Sequence, residues 1–277
     1  MKKEKNLVVY DNYLNQLSFK GFTDYDLNFF MVICERMRDL GEELQRFDYD
    51  TLMDLLEWDK SKSIDVFHRD LMRMCERLRH VGATLEVDED HFCAFNLFST
   101  FDGYKKKRIL EVQINPRFKH VLNSLTTKFT KFELAEYVRL DGKYSKLLYQ
   151  HLKQWRSTGW WQVSVDDIRR ELAIPDSMAT MHILTKVINP SIELIKTCKG
   201  FADLDVEVLR SRRRGRAVEG YKFKWSTKKT NKNQRTLDDW QRDLESEKKQ
   251  GKKKGSFHQF KQNNYDLNSL ESQLLDN

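Results

Sequence analysis

The sequence lacks any run of 18 apolar residues, and its first five residues carry no apolar core of the kind a signal peptide needs. These two absences predict a cytoplasmic protein without a membrane-spanning helix. Cysteine is also scarce: the four thiols at Cys34, Cys75, Cys93 and Cys198 are far apart in the sequence. Such spacing indicates neither a disulfide framework nor a zinc site.

Motifs for phosphate hydrolysis and strand nicking are also missing. The sequence has no Gly-x-x-x-x-Gly-Lys loop, so ATP hydrolysis has no visible site. Its seven histidines include no pair two residues apart, which a metal-dependent nickase needs. Three carboxylates alternate along a predicted strand, as those of a primase or polymerase site would: Asp203, Asp205 and Glu207. They lie, however, on the side of the strand opposite three apolar residues. That position favours a solvent-facing strand surface, and we predict no metal, no cofactor and no enzymatic activity.

Positive charge is concentrated in two segments. The net charge is +7, of which residues 209–224 carry +6 and residues 226–255 carry +5, so that the rest of the chain is at −4. An acidic body with two basic segments is typical of a protein that binds a polyanion through its phosphates. Solvated surface charge is the alternative, and it fits the second segment better than the first. In the first, five arginines repel one another unless a polyanion is near.

Residues 176–195 predict an amphipathic helix. Ser177 is its predicted N-cap, and apolar residues at three- and four-residue steps predict a buried face. Those apolar residues are Met181, Leu184, Val187, Ile188, Ile192 and Ile195. The candidates for contacts with bases or phosphates on the other side are Thr180, His182, Thr185, Lys186 and Asn189. Pro190 lacks a backbone donor and predicts a bend near Asn189.

A β-hairpin is predicted after this helix. Alternating apolar residues indicate strands at 204–209 and 218–225. The connection is too highly charged to be core, and it is predicted to form a DNA-binding tip with Arg210, Arg212, Arg213, Arg214 and Arg216.

The remaining pattern gives the same order of elements twice. In the first half, the sequence predicts helices at 7–17, 25–40, 50–58, 64–81 and 115–125 and strands at 47–49, 83–87, 92–99 and 108–114. In the second half, it predicts helices at 132–140, 143–155 and 164–172 and a strand at 160–163. Predicted helix starts are at Thr23 or Asp24, at Ser61 or Ser63, and at Ser164, three residues before Asp167, and apolar spacing predicts one buried side for each of the helices 25–40, 64–81 and 143–155. Each half thus ends with a short strand, a helix, a longer helix and a basic-tipped hairpin, which is the order of a winged helix.

The first half carries its own candidate DNA contacts. A turn at the hairpin tip is interpreted as a first wing, although a solvated turn is the alternative; it consists of Lys105, Lys106, Lys107 and Arg108. The outer side of the helix near residues 62–80 faces either DNA or water, and its possible DNA-binding residues are Lys62, Arg69 and Arg73.

The C-terminal part differs in composition from the rest. Residues 226–255 are polar and lysine-rich and predict a disordered basic linker. Apolar residues then return in a short amphipathic segment, predicted to bind a partner through Phe257, Phe260, Leu267, Leu270 and Leu274. The predicted fold is therefore α+β, with tandem winged-helix domains at 1–125 and 126–225, the linker at 226–255 and the tail at 256–277.

Four stretches of the second half carry a specific resemblance. They are GKYSKLLYQHLK at 142–153, WQVSVDDIRREL at 161–172, VINPSIELI at 187–195 and GRAVEGYKFKW at 215–225. With the looser NYL at 12–14 and VQINPRF at 112–118, they resemble plasmid replication initiators that bind iterons, the directly repeated origin sequences, through two winged-helix domains. The tail resembles tails of replication proteins from low-GC Gram-positive bacteria.

The resemblance implies origin recognition, local duplex opening and recruitment of host replication proteins. It also implies a monomer–dimer equilibrium, with the first domain in the dimer contact, and repression of the initiator's own gene. One departure concerns the second recognition helix, where the family usually has several basic residues but residues 178–185 contain only His182. A winged-helix transcriptional repressor is the alternative, because it needs the same groove contacts. A replication enzyme, a nickase or a primase, is the alternative from a different class.

Overall fold

The computed structural model describes residues 7–38, 40, 43–86, 90–116, 122, 129–211 and 217–227. Several predicted features lie outside these residues: the wing tip at Arg212, Arg213, Arg214 and Arg216, nearly all of the helix at 115–125, the linker and the tail. Within the described residues, no helix is long and apolar enough to cross a membrane.

The first half of the chain forms three helices and six strands in the described residues. In chain order they are β1 Leu7–Asp11, a 3₁₀ turn Asn12–Gln16, α1 Asp24–Met37, β2 Gln45–Asp48, α2 Tyr49–Leu55, α3 Ile64–Leu78, β3 Gly82–Glu86, β4 Phe92–Asn96, β5 Phe98–Tyr104 and β6 Ile109–Ile114.

The second half contains a similar series. In order they are β7 Phe129–Glu133, α4 Leu134–Val138, α5 Lys143–Gln154, β8 Trp160–Ser164, α6 Val165–Glu171, α7 Thr180–Ile183, a π-helical turn Leu184–Ile188, α8 Asn189–Ile195, β9 Asp205–Arg210 and β10 Val218–Lys224. We call the continuous element 180–195, formed by α7, the π turn and α8, the segmented helix.

The two halves share one sheet topology. In the first, three antiparallel strands lie in the order β2-β6-β5, and in the second they lie in the order β8-β10-β9. Each sheet thus places the last strand of its unit between the other two. The first strand of each sheet is followed by two helices. These are α2 and α3 after β2, and α6 and the segmented helix after β8. The duplicated winged-helix prediction is confirmed.

Helix α1 lies at the centre of the core. Its N-terminus is closed by a capping box in which the Thr23 side chain accepts from the Asp26 N–H and the Asp26 carboxylate accepts from the Thr23 N–H. The apolar side predicted from periodicity is buried, but Phe29, Val32 and Ile33 on the other sides are buried too. The helix is therefore enclosed on all sides, which agrees with its mostly apolar sequence.

Two elements differ from the prediction. Residues 7–11 form β1 rather than the start of a helix, and residues 129–133 form β7 ahead of a helix that begins only at Leu134. The two strands pair antiparallel, with Val8 opposite Phe132. The weak local periodicity suggested helices, whereas pairing with a strand more than a hundred residues away decided the conformation.

A buried polar network joins this pair of strands to α5. The Asn15 side-chain amide donates to Thr130 Oγ1 at 3.2 Å and to Gln154 Oε1 at 2.8 Å. Thr130 Oγ1 donates to Asn12 Oδ1 at 2.8 Å, and the Tyr10 hydroxyl donates to Asn15 Oδ1 at 2.9 Å. Because buried polar groups that lose a partner cost about 1–3 kcal/mol each, the network fixes how β1, β7 and α5 meet.

The predicted strand 92–99 is also split. β4 ends at Asn96 and β5 begins at Phe98. Between them the Leu97 N–H donates to the Val81 carbonyl at 2.8 Å, and the Leu97 carbonyl accepts from the Asn115 N–H at 2.9 Å. These bonds turn the backbone out of one strand and into the next, so the first wing is the hairpin β5–β6.

Candidate nucleic-acid interface

The second helix-turn-helix consists of α6 and the segmented helix. Ser164 caps α6 by accepting a hydrogen bond from the Asp167 N–H at 3.0 Å, as its spacing predicted. The predicted cap of the next helix at Ser177 is wrong, because that helix begins only at Thr180 and the residue before it, Ala179, offers no capping side chain.

Arg169 of α6 holds the turn that leads into the segmented helix. Its Nη2 donates to the Met178 carbonyl at 2.7 Å and to Thr180 Oγ1 at 3.1 Å, and its Nη1 donates to the Pro175 carbonyl at 3.2 Å. These bonds fix the first turn of the helix against α6. Sequence reasoning missed this role, since an arginine on a helix gives no local sign of which carbonyls it meets.

The π turn replaces the predicted bend at Asn189. The Asn189 N–H donates to the Leu184 carbonyl, five residues back, and Asn189 itself keeps helical dihedrals of φ −59° and ψ −48°. Pro190 cannot donate, and the chain accommodates it by wider winding ahead of the proline rather than by leaving the helix.

The wider winding changes which residues of the first turn are buried. One extra residue in the π turn rotates the preceding turn by about 100°, the angle per residue of an α-helix. Ile183 therefore packs into the core at 0% exposure, whereas Met181, predicted to be buried, is 74% exposed. The prediction of a buried side is confirmed for the residues that lie in the π turn or after it, Val187, Ile188, Ile192 and Ile195.

The predicted DNA-contacting residues of this helix divide into two groups. Thr185 and Lys186 are exposed, and the Thr185 hydroxyl lies 3.5 Å from the His182 carbonyl. Thr180 and His182 are half-buried, and Thr180 Oγ1 already accepts from Arg169. The exposed side of the helix thus presents Met181, Thr185 and Lys186 to the solvent.

The second wing is the hairpin β9–β10. Arg210 is exposed at the end of β9 opposite Val218, and the Ser211 N–H donates to the Ala217 carbonyl at 2.8 Å. At Gly220, β10 approaches β8 so closely that a Cβ would collide with the Val163 carbonyl oxygen. The hairpin is therefore anchored to the sheet at its base.

The first wing has an exposed basic tip. Lys105, Lys106, Lys107 and Arg108 connect β5 to β6, and the turn closes with a 3.1 Å bond from the Arg108 N–H to the Lys105 carbonyl. Arg108 adopts a left-handed φ of 54°. Its carbonyl accepts from the Tyr49 N–H at 2.9 Å, so the tip is fastened to the start of α2.

Ion pairs join the same tip to both helices of the first helix-turn-helix. Lys105 Nζ lies 2.7 Å from Asp65 Oδ1 in the first turn of α3, and Arg108 pairs with Asp50 in the first turn of α2. The hydrogen bond and charge of Lys105 lower the pKa of the Asp65 carboxyl. Lys107 Nζ lies 5.0 Å from the Tyr104 ring centroid. The structure thus brings the wing tip next to the N-terminal turns of α2 and α3.

The other candidates of the first domain lie on or next to α3. Arg69 and Arg73 are exposed on its outer side, and Arg73 Nη1 is 3.4 Å from Asp70 Oδ1 in the preceding turn. Lys62, just before the helix, places its Nζ 5.2 Å from the Trp58 ring centroid. All three cations can reach a phosphate backbone lying along α3.

The acidic residues near β9 are engaged in local contacts. Asp203 accepts from the Ser226 N–H at 2.9 Å, and Glu207 Oε2 is 2.5 Å from Lys224 Nζ on the neighbouring strand. These partners lower the pKa of both carboxyls. Across the described ranges, no cluster of His, Cys, Asp and Glu could hold a metal ion.

A buried lysine stabilises the connection between two helices of the second domain. Lys146 of α5 is fully buried, and its ammonium donates to the carbonyls of Tyr137, Val138 and Leu140 at the end of α4. Desolvation lowers the pKa of Lys146 to about 8. The ammonium in turn supplies hydrogen-bond donors to the backbone carbonyls at and just after the C-terminal end of α4, and so fixes the turn into α5.

Comparison with known proteins agrees with this architecture. Residues 7–153 match the family described as "Initiator Replication protein, WH1", and residues 164–225 match "Initiator Rep protein, WH2". A "Probable replication protein rep" from Bifidobacterium longum is 30% identical over 218 residues, covering 78% of this chain and 71% of that protein. The solved structure of Pi initiator protein in complex with iteron DNA superposes with a TM-score of 0.61 at 18% identity, over 82% of this chain and 99% of that one. The chain belongs to the family of initiator replication proteins with two winged-helix domains.

Proposed function

We propose that this protein initiates plasmid replication by binding iterons sequence-specifically through both winged helices, opening the origin locally and recruiting host replication proteins. One observation carries the proposal: each domain has a helix-turn-helix followed by a hairpin in the same sheet topology, and the sequence of each hairpin connection is basic. The solved Pi initiator, which shares the fold, is in complex with iteron DNA. Two DNA-binding domains in tandem suit an origin that consists of directly repeated sites.

The wings and helices have different tasks in this proposal. Arginines and lysines on a wing tip meet phosphates, which gives affinity without sequence choice. In the second domain these are Arg210, Arg212, Arg213, Arg214 and Arg216, and in the first they are Lys105, Lys106, Lys107 and Arg108. Lys62, Arg69 and Arg73, on or next to α3, add phosphate contacts outside the wing. The base contacts of the second domain come from the exposed side of the segmented helix at Thr185 and Lys186, with His182 at its edge.

The division of the chain supports binding and recruitment as separate tasks. We assign 1–125 and 126–225 to DNA binding, with the first also contributing to a dimer. The basic linker 226–255 tethers the tail 256–277, whose apolar residues bind a host replication protein. The protein works in the cytoplasm without a catalytic centre, and its dimer represses its own gene.

A footprinting experiment on the DNA that flanks the gene tests the proposal. Directly repeated protected sites are expected, because an initiator loads several copies in one orientation. A single inverted repeat would instead favour the second candidate, a winged-helix repressor, since a symmetric dimer binds symmetric half-sites. Protection of no site at all would refute sequence-specific binding. A variant with Lys186→Ala and Thr185→Ala serves as the matched control and should lose the footprint.

A further inference from the structure

We propose that Met181 contacts the C5 methyl group of a thymine in the major groove and so helps to determine which sequence the second domain selects. The inference rests on the proposed function and names one chemical feature of its DNA site. At 74%, Met181 is the most exposed large hydrophobic side chain in the described part of the chain. A single exposed apolar residue is ordinary on a protein surface, but Met181 also has a fixed position and neighbours suited to DNA.

The position is fixed by two features of the fold. The π turn rotates the first turn of the segmented helix so that Ile183, not Met181, enters the core. Arg169 then holds that first turn through its bonds to Met178 and Thr180, just ahead of the exposed residue. Met181 is therefore presented outward from a fixed backbone, which does not have to be ordered when the side chain binds.

The neighbouring residues indicate DNA as the occupant. Thr185 lies one turn further on the same side, and the exposed Lys186 follows it. This leading turn of a recognition helix is the part that meets base edges in helix-turn-helix proteins. Met181 thus lies beside two exposed side chains that can hydrogen-bond to base edges.

The chemistry of the leading turn selects thymine. Residues 178–185 contain no Arg, Lys, Asn or Gln, the side chains that form paired hydrogen bonds with guanine or adenine. What this turn offers in their place is an unbranched apolar side chain that adapts its shape to a contact surface. Thymine has the only methyl group in the major groove, so an apolar contact there distinguishes it from the other bases.

The test removes one methyl group at a time from the DNA. The full-length protein is titrated with a duplex carrying its footprinted site, in which each thymine in turn is replaced by deoxyuridine, which differs only by the missing C5 methyl. At the contacted position the wild-type affinity should fall about fourfold, the effect of losing one buried carbon group. Met181→Ala and Met181→Gln should bind both duplexes equally, and Met181→Leu should keep the response.

Leu194→Ala is the matched control, because Leu194 is an exposed apolar residue at the far end of the same helix. It should leave the deoxyuridine response unchanged. The proposal is overturned if no thymine distinguishes wild type from Met181→Ala, or if that variant weakens all duplexes equally and keeps the response. A wild-type protein that binds no duplex specifically would overturn the proposed function as well, so the two failures are distinguishable. Thermal melting of each variant checks that the fold is intact.

Discussion

Lys105 Nζ lies 2.7 Å from Asp65 Oδ1, so the tip of the first wing is ion-paired to the first turn of α3. Both side chains are at least half exposed, and the pair competes directly with a phosphate for the same ammonium. Such an exposed pair contributes little to folding. Its main consequence is therefore for DNA binding.

We expect Asp65→Asn to strengthen binding to random duplex, because it frees Lys105 for a phosphate. Lys105→Ala should weaken the same binding. Asp54→Asn is the control, since Asp54 pairs with Lys60, a residue outside the proposed contacts. Titration at several salt concentrations measures the effect. If Asp65→Asn weakened binding as Lys105→Ala does, the pair would instead be positioning the wing.

The second wing should supply affinity more than sequence choice. Changing Arg212, Arg213 and Arg214 to Ala should weaken binding to specific and random duplex alike. Each lost phosphate contact should lower the slope of log affinity against log salt by about 0.9. Lys20→Ala, which removes an exposed charge away from both wings in sequence, should leave the slope unchanged. An unaltered slope in the triple variant would refute the wing assignment.

The segmented helix should behave in the opposite way. Thr185→Ala or Lys186→Ala should cost on the order of 1–3 kcal/mol on the cognate site and much less on random DNA, because base contacts are lost. Thr197→Ala is a matched control: like Thr185, Thr197 is exposed and its hydroxyl approaches the carbonyl three residues earlier, at 2.7 Å. Equal losses on both kinds of DNA would show that this helix does not read bases.

Stability should depend on pH through Glu171, a mostly buried carboxylate at the end of α6. Burial raises the pKa of Glu171 to about 7, and the nearby Arg170 only partly opposes this. Its Oε2 is buried 3.6 Å from His151 Nδ1 and has no hydrogen-bond partner among the residues that the structure describes. Burial also lowers the pKa of His151 to about 4, so the histidine is neutral at pH 7 and does not compensate the carboxylate.

Because the folded-state pKa of Glu171 is raised, its stabilising contribution is complete below its ordinary pKa of 4.5 and is lost as pH rises through about 7. Glu171→Gln should therefore be more stable than wild type at pH 8, by on the order of 2 kcal/mol, and nearly equal to it near pH 4.5. Denaturant midpoints at both pH values measure this. Glu193→Gln, at an exposed site, should show no such pH-dependent gain, and an equal gain at both values for Glu171→Gln would contradict the assignment.

The tail should matter for replication but not for DNA recognition. A flexible tether of about thirty residues spans roughly 30 Å on average, which lets the apolar segment reach a partner while the winged helices stay on DNA. Deleting residues 256–277 should leave binding to the origin repeats nearly intact and reduce or abolish plasmid replication. Replacing Phe257 and Phe260 by Ser in the full-length chain should reproduce the defect. Replication at normal copy number would show that the tail has no docking role.

Short-range sequence signals account for most of the architecture. Thr23, Ser63 and Ser164 cap the helices that their spacing predicted, and the apolar steps of α3 and α5 mark their buried sides. The repeated order of elements was sufficient to predict two winged helices. These signals are local because a cap or a helical face involves residues only three or four positions apart.

The tertiary structure decided what local patterns cannot encode. β1 exists because it pairs with β7, which follows more than a hundred residues later in the chain. Arg169 donates to carbonyls whose positions depend on how α6 packs against the next helix. The side of the helix on which Met181 lies depended on one extra residue of winding before Pro190. The sequence alone thus determined most of the elements and the repeated order of the two winged helices. Pairing, packing and helix phase determined which side chains face DNA, because each depends on contacts between residues distant in the chain or on a small change in backbone rotation.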